Sequence, residues 1–284
     1  MMTLLESTGC RCSSIDSRKC IVAFLLFILS VTTQTIARTQ QQADTSDGGK
    51  LLTATQVVER LVEMNLRRAR ALHSYHGTRT YHVEYRGLLG TKSADMAVDV
   101  RYLAPGTKDF TILSSTGSTL MLDKVLKKLL QAETEAASAE GQRRTALNGE
   151  NYDFTMIRIE STTPRRMYVL AVEPKTKSKF LFRGRVWVDA ADFAVVRLEA
   201  EPARNPSFWT KNNQIEQLYQ KVGDFWLPQR NHSTSSIRIG GRAELTIDYQ
   251  SFDITESGPI HGRLGQQLAR SADTNPAHTA PVAK

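Results

Sequence analysis

Apolar and polar residues alternate with a period of two through most of the sequence after residue 75, and short turn segments interrupt the alternation. In the first such stretch Tyr81, Val83 and Tyr85 alternate with polar neighbours, which is the pattern of a half-buried β-strand. Short links join most of the later stretches, so antiparallel pairing is expected. The alternation therefore restricts the chain to a mainly β (α+β) fold.

About ten strands are predicted in this way. Gly-Gly at 240–241 is a strong two-residue hairpin signal, and Pro105-Gly106 marks another turn. The strands are expected near 75–86, Met96–Tyr102, Phe110–Leu113, Asp153–Glu160, Met167–Glu173, Lys179–Asp189, Phe193–Glu201, Gln214–Val222, Trp226–Ile239 and Arg242–Ile254.

Two segments have helical periodicity instead. Thr53 and Gln56 form a capping box at the start of the first helix, whose apolar stripe runs to about Leu72. The second helix is predicted from Leu120 to about Ala139 and is expected to fray before Gly141, because its apolar face fades to alanine. This second helix has the composition of a movable lid and equally of an ordinary helix that covers a sheet.

The N-terminus has the features of an export signal. Basic residues precede the uncharged apolar run 20–31, which is shorter than the roughly 20 residues that a membrane-spanning helix needs. Cleavage is predicted between Ala37 and Arg38, which places the protein in the periplasm; an uncleaved membrane anchor is the alternative. The predicted organisation is a signal peptide at 1–37, a flexible lead-in at 38–50, one domain at 51–256 and a disordered tail at 257–284.

The sequence contains no recognisable catalytic or metal-binding pattern. Its three cysteines lie before residue 21, so the domain has no disulfide and no Cys-based zinc site. His76 and His82 are about 20 Å apart along a straight strand, too far to share a metal ion. Nucleophile-elbow and phosphate-binding glycine motifs are absent from the sequence. We therefore expect no enzyme activity, no metal and no cofactor.

The formal net charge of +8 is compatible with acidic or anionic-lipid partners and equally with a solvated surface. Nucleic acid is not an expected partner, because the chain carries an export signal and lacks basic repeats interleaved with aromatic residues.

The C-terminal half resembles a known family. The motifs VWVD (186–189), VVRLE (195–199) and GDFWLP (223–228) resemble the LolA-like outer-membrane lipoprotein-sorting proteins. The segment HSYHGTRTYHVEY (73–85), which follows a long helix, is similar to the start of the related RseB/MucB domain. The resemblance covers roughly residues 51–256 and consists of turn and strand motifs.

The resemblance implies a curved antiparallel sheet that forms an unclosed barrel, or half-barrel, with helices over its open side. In that family the concave apolar face binds acyl chains of lipids or lipoproteins. Apolar residues that share strand faces here, and that are candidates for lining such a concavity, are Met96, Val98, Val100, Phe180, Phe182, Val186 and Val188.

Two functions remain open at this point. The first is a monomeric periplasmic carrier of lipid or lipoprotein acyl chains, which an apolar cavity in the structure would favour. The second is a regulatory or interaction domain of the RseB/MucB type with a partner protein in the cell envelope. A concavity filled by the helices, together with an exposed edge strand, would favour the second function.

Overall fold

The structure is a computed structural model that describes residues 51–88, 90–162, 165–205 and 207–257. The predicted signal peptide, its cleavage site at Ala37 and Arg38, the lead-in and nearly all of the predicted tail lie outside these residues. Ten strands are present: β1 Leu72–Gly87, β2 Gly90–Leu103, β3 Thr107–Gly117, β4 Tyr152–Thr162, β5 Arg165–Pro174, β6 Phe182–Asp189, β7 Val195–Pro202, β8 Thr210–Val222, β9 Phe225–Ile237 and β10 Arg242–Glu256.

The ten strands form one antiparallel sheet in the order β3-β2-β1-β10-β9-β8-β7-β6-β5-β4. The pairing of β1 with β10 places the first and last strands next to each other within the sheet. In the described residues β3 and β4 are the outer strands and do not pair with each other, so the sheet is open. The predicted fold class, an unclosed antiparallel half-barrel with a helical cover, is confirmed.

Four helices accompany the sheet in the described residues. Helix α1 spans Ala54–Ala71 and begins with the predicted capping box, in which Thr53 and Gln56 bond each other's backbone N–H groups. Helix α2 at Thr119–Met121 continues through a π-helical turn at Leu122–Leu126 into α3 at Lys127–Ala137. We refer to residues 119–137 as the cover helix.

The predicted end of the second helix is wrong in its detail. Instead of fraying before Gly141, the chain breaks at Ser138 and begins helix α4 at Ala139–Thr145. The Ser138 hydroxyl accepts a hydrogen bond from the Gly141 N–H, as an N-cap residue does. The Gln142 side chain then donates to the carbonyl oxygens of Pro105 and Ala137, which attaches α4 to the β2–β3 turn.

The predicted start of the sixth strand is also wrong. The strand was expected from Lys179, but β6 begins at Phe182, and Phe180 lies in the preceding turn. The Phe180 ring centroid lies 4.1 Å from the Arg144 guanidinium carbon, so this half-buried ring packs against helix α4. Phe180 is therefore not on the strand face that Phe182 shares with Val186 and Val188.

The helices cover one face of the sheet, which we call the inner face, and create two apolar clusters. The first cluster joins the cover helix to β1, β2, β9 and β10, and its members include Tyr81, Met96, Val98, Leu126 and Leu129. The second cluster joins α1 to β4, β5, β6 and β7, and its members include Val57, Leu61, Leu170, Val186 and Val188.

A polar strip separates the two apolar clusters. Across the middle of the inner face, Ile247 of the first cluster pairs in register with Asn231, Asn231 with Gln217, and Gln217 with Leu198 of the second cluster. The Asn231 amide donates to the Gln217 side-chain oxygen at 2.9 Å, and both residues are buried. Because buried amides are stable only when they are hydrogen-bonded, this pair keeps the centre of the face polar.

Candidate ligand-binding site

The first cluster encloses a buried group of three charges. Arg79 of β1 donates two hydrogen bonds to the Glu133 carboxylate of the cover helix, at 3.0 and 2.8 Å. Lys108 of β3 donates to the same carboxylate at 2.5 Å. All three residues are buried, so the sheet contributes two cations and the helix contributes one anion.

Aromatic rings enclose the Arg79 guanidinium. Its central carbon lies 5.1 Å from the Tyr81 ring centroid, 5.0 Å from that of Phe110 and 5.3 Å from that of Tyr249. Such cation–π contacts partly replace the hydration that the guanidinium loses on burial. The Arg79 Nε and the Tyr81 hydroxyl have no hydrogen-bond partner, so the pocket has unused polar capacity.

All three groups are ionised at neutral pH. Burial alone would raise the pKa of Glu133, but Arg79 and Lys108 outweigh it and lower this pKa to about 2. Burial opposes the charge on Arg79 and Lys108, yet the Glu133 carboxylate holds both of their pKa values above the ordinary ones. One positive charge therefore remains uncompensated in an apolar environment, which makes the site a potential receptor for a second anion.

Apolar contacts provide most of the attachment of the cover helix. Met121, Leu126, Leu129 and Leu130 are buried in the first cluster. The polar attachments of residues 119–137 to the sheet include the Glu133 cluster and the Thr134 hydroxyl, which donates to the Lys108 carbonyl oxygen at 3.3 Å.

Helix α1 is attached to backbone carbonyls under the other part of the inner face. The Arg68 guanidinium donates to the carbonyl oxygens of Asp192 and Phe193 in the β6–β7 turn and to that of Asp224 in the β8–β9 turn. Three carbonyls from two separate turns thus hold one buried side chain of α1. The two helical covers therefore differ in the way they are attached.

The sequence-predicted lining residues do not meet in one place. Met96, Val98 and Val100 lie in the first cluster under the cover helix. Phe182, Val186 and Val188 lie in the second cluster under α1, on the far side of the Asn231–Gln217 strip. All six are buried, with at most 3% of their surface exposed, and whether any of them contacts a ligand stays a prediction.

Sequence reasoning missed the three charged residues, although the sequence contains a signal for each. Arg79 occupies the same strand face as Tyr81 and Val83, where an apolar residue was expected. Glu133 follows Leu126, Leu129 and Leu130 at helical spacing and so continues an apolar face with a carboxylate. A charged residue at an inward position of each of two elements predicts a buried ion pair.

The outer face of the sheet is polar. A groove of about 400 Å³ crosses β4 to β8 and is lined largely by charged residues, among them Glu173, Arg183, Arg185 and Glu199. Trp187 is buried beside it by the guanidinium groups of Arg185 and Arg197, at 5.5 and 5.0 Å from the ring centroid. This groove does not have the apolar lining that an acyl chain requires.

Histidines and carboxylates pair on the outer face. His76 bonds Asp99, and His82 bonds Asp95 at 2.7 Å, so each predicted strand-face histidine has a carboxylate partner on β2. Within the described residues no group of three or more His, Cys, Asp or Glu side chains is arranged to bind a metal ion. In the same part of the chain no helix is both long and apolar enough to cross a membrane.

An open ten-stranded antiparallel sheet with helices over its inner face is the half-barrel arrangement that the sequence resemblance predicts. Solved structures to which the chain is similar include a LolA-superfamily protein from Nitrosomonas europaea, with 12% identity, a TM-score of 0.34 and coverage of 73% of this chain and 96% of that one. A DUF1329 family protein from Desulfovibrio piger has 10% identity, a TM-score of 0.36 and coverage of 73% and 95%. MucB has 11% identity, a TM-score of 0.28 and coverage of 69% and 92%.

The sequence matches no protein-family profile, and no curated protein matches it. At these identities and TM-scores the structural comparisons carry no information on function. The assignment of the fold rests on the strand order and on the helical cover.

Proposed function

We propose that this domain binds an anionic amphiphile between the sheet and the cover helix. Such a molecule has an acyl chain and a carboxylate or phosphate nearby, as in a lipid. The observation that supports the proposal is the buried group Arg79–Glu133–Lys108, in which both cations belong to the sheet and the one anion belongs to the helix. When the helix moves away, both cations remain on an apolar surface.

In this proposal Glu133 occupies the position that the ligand's head group takes. The acyl chain then replaces Met121, Leu126, Leu129 and Leu130 against Met96, Val98 and Val100. Burial of an acyl chain contributes about 0.8 kcal/mol per CH₂, so ten methylenes contribute roughly 8 kcal/mol. Burial of four Leu or Met side chains contributes a similar amount, at about 1.5–3 kcal/mol each. The free energy gained by burying the acyl chain is therefore close to the free energy lost by exposing the four helix side chains. The ionic contacts then decide whether the ligand or the helix occupies the inner face.

The proposal assigns the second cluster to stability. The Arg68 guanidinium of α1 donates to backbone carbonyls of two turns, so moving α1 away exposes carbonyl oxygens, which do not attract an anion. Phe182, Val186 and Val188 are then core residues, and Met96, Val98 and Val100 are ligand-lining residues. Export to the periplasm, inferred from residues 1–37, is part of the proposal because acyl chains of envelope lipids are available there.

A titration with a fluorescent fatty acid tests the proposal, with the corresponding fatty alcohol as the uncharged comparison. The wild type is expected to bind the acid more tightly than the alcohol. Glu133→Gln removes the competing anion and is expected to tighten binding of the acid by about tenfold or more, because a charge-assisted contact is worth about 1.5–3 kcal/mol. Glu135→Gln is the matched control, since Glu135 is two residues away on the exposed side of the same helix.

Two results would contradict this proposal. One is that neither the wild type nor the Glu133→Gln variant binds the acid. The other is that the acid and the alcohol bind equally well to both. The double variant Arg79→Met with Lys108→Met is expected to lose the preference for the acid over the alcohol. It should still bind both through burial of the acyl chain.

Two observations support a second function, that of an interaction domain: in the described residues the helices fill the inner face, and an edge strand is exposed. Strand β3 is an outer strand of 11 residues with Ile112 and Leu113 exposed and with no charged residue in 110–117. An unprotected edge strand of this kind can pair with a strand from another protein. Leu113→Lys is expected to abolish binding of a partner protein and to leave the affinity for the fatty acid unchanged.

A further inference from the structure

Three chain connections lie side by side at one end of the sheet. Arg86 pairs with Arg242, so the β1–β2 turn at 87–90 is adjacent to the β9–β10 turn at 238–241. Thr210 pairs with Ile237, so the β7–β8 connection at 203–209 is adjacent to the β9–β10 turn. We call the surface that these three connections form the tip face.

The tip face exposes large apolar side chains. Leu88 is 89% exposed, Phe208 69%, Ile239 65% and Trp209 49%. The Leu88 side chain lies close to Gly240, next to Ile239, and the Arg238 N–H donates to the Trp209 carbonyl oxygen at 2.9 Å. The Phe208 and Trp209 rings contact each other with centroids 5.4 Å apart, so the four side chains lie in adjoining parts of the tip face, and exposed apolar patches mark interaction sites.

The charges of the tip face have one sign. The neighbouring segment 174–181, which precedes β6, also lies at this end because Phe182 pairs with Pro202. The segments 86–92, 174–181, 203–211 and 237–242 together contain nine Lys or Arg residues and no Asp or Glu. Three of the nine are paired with carboxylates on the neighbouring strands: Arg86 with Glu84, Arg242 with Glu244, and Lys175 with Asp153.

The opposite end of the sheet differs in charge. The turns at 189–194 and 222–225 contain three Asp residues and no Lys or Arg. Arg165 and Arg166 begin β5 at the same end, and Lys221 pairs with Asp192 at 2.7 Å, so the difference in charge is confined to these turns.

We propose that the tip face docks onto an anionic lipid bilayer. Exposed aromatic and aliphatic side chains insert at the level of the head groups, and surrounding Lys and Arg side chains are attracted by anionic lipids. A protein partner would need acidic and apolar groups that match the positions of the basic and apolar side chains of the tip face. An anionic bilayer offers negative charge and an apolar interior over the whole width of the patch. This proposal does not depend on the proposed amphiphile site, although the cover helix begins at the same end, since Gly117 pairs with Ala94.

Trp209 allows a direct test. It is the most exposed of the three tryptophans, because Trp187 and Trp226 are buried. The whole chain is mixed with vesicles of brominated phosphatidylcholine and phosphatidylglycerol, and quenching of tryptophan emission is measured. The apolar run 20–31 could enter a bilayer by itself, so the measurement must report on Trp209 rather than on co-sedimentation. We expect quenching with the anionic vesicles and little with pure phosphatidylcholine.

Matched variants locate the contact. Leu88→Ser with Ile239→Ser is expected to raise the lipid concentration for half-quenching about tenfold. Leu103→Ser with Ile157→Ser is the control: it changes the same two residue types at exposed positions away from the tip face, and we expect it to have little effect. Arg238→Glu is expected to weaken quenching more than Arg70→Glu, which makes the same change of net charge away from the tip face. Absence of quenching by anionic vesicles, or equal effects of tip-face and control variants, would overturn the proposal.

Discussion

At the scale of single residues, Glu133 is the only anion that faces two buried cations in the first cluster. Removal of one partner from a buried ionic group leaves uncompensated charge and costs about 3–5 kcal/mol. We therefore expect Glu133→Gln to lower the free energy of unfolding by this amount in urea titrations. Glu135→Gln, which changes an exposed carboxylate, is expected to stay within about 0.5 kcal/mol of the wild type.

The same carboxylate makes stability depend on pH. Its pKa is about 2 in the folded protein and 4.5 ordinarily, so its contribution is complete above pH 4.5 and is lost as the pH falls toward 2. The shift corresponds to roughly 3 kcal/mol. We expect the difference in unfolding free energy between the wild type and Glu133→Gln to be large at pH 6 and to nearly vanish near pH 2. A difference that stays constant over this range would show that Glu133 is not ionised in the folded protein.

At the scale of the elements, α1 and the cover helix should respond differently to mutation. Phe182 is buried under α1, so Phe182→Ala is expected to cost about 3–5 kcal/mol of stability and to leave affinity for the fatty acid unchanged. Met96→Ala removes an apolar contact under the cover helix and is expected to weaken that affinity. Thermal melts and probe titrations on both variants check this, and a loss of affinity in Phe182→Ala alone would reverse the assignment of the two clusters.

Local signals in the sequence were sufficient for most of the elements. The capping box at Thr53 and the period-two stretches predicted α1 and all ten strands, because both signals act between near neighbours. Phe180 continues the alternation of β6 and yet lies in a turn, where it packs against Arg144 of a distant segment. The restart of the helix at Ser138 depended on a single capping residue.

The candidate site was less predictable than the elements. Period-two alternation shows which residues share a face of one strand, but it does not show which strands are neighbours in the sheet. The strand order places Asn231 and Gln217 between the two groups of predicted lining residues, and this order follows from long-range pairing. Likewise, Arg79 and Glu133 are 54 residues apart and meet only in the folded sheet–helix arrangement.

At the scale of the whole molecule, the tip face lies at one end of the sheet, and the cover helix begins at that end and runs to the β2–β3 turn at the other. The export signal predicted at 1–37 complements this arrangement, since a bilayer surface and free acyl chains are both available in the cell envelope. We expect the N-terminus of the protein isolated from its own cells to be Arg38. N-terminal sequencing checks this, and recovery of the full N-terminus in the inner membrane would instead indicate an uncleaved anchor.

The central claim is that the cover helix, and not α1, gives way to an anionic amphiphile. Hydrogen exchange followed by mass spectrometry, with and without the fatty acid, measures this directly, because amide exchange reports local opening segment by segment. The account predicts faster exchange in residues 119–137 when the fatty acid is present, with unchanged protection in α1 and with no such effect of the fatty alcohol. Unchanged exchange in 119–137 at saturating fatty acid, or equal loosening of α1, would contradict it.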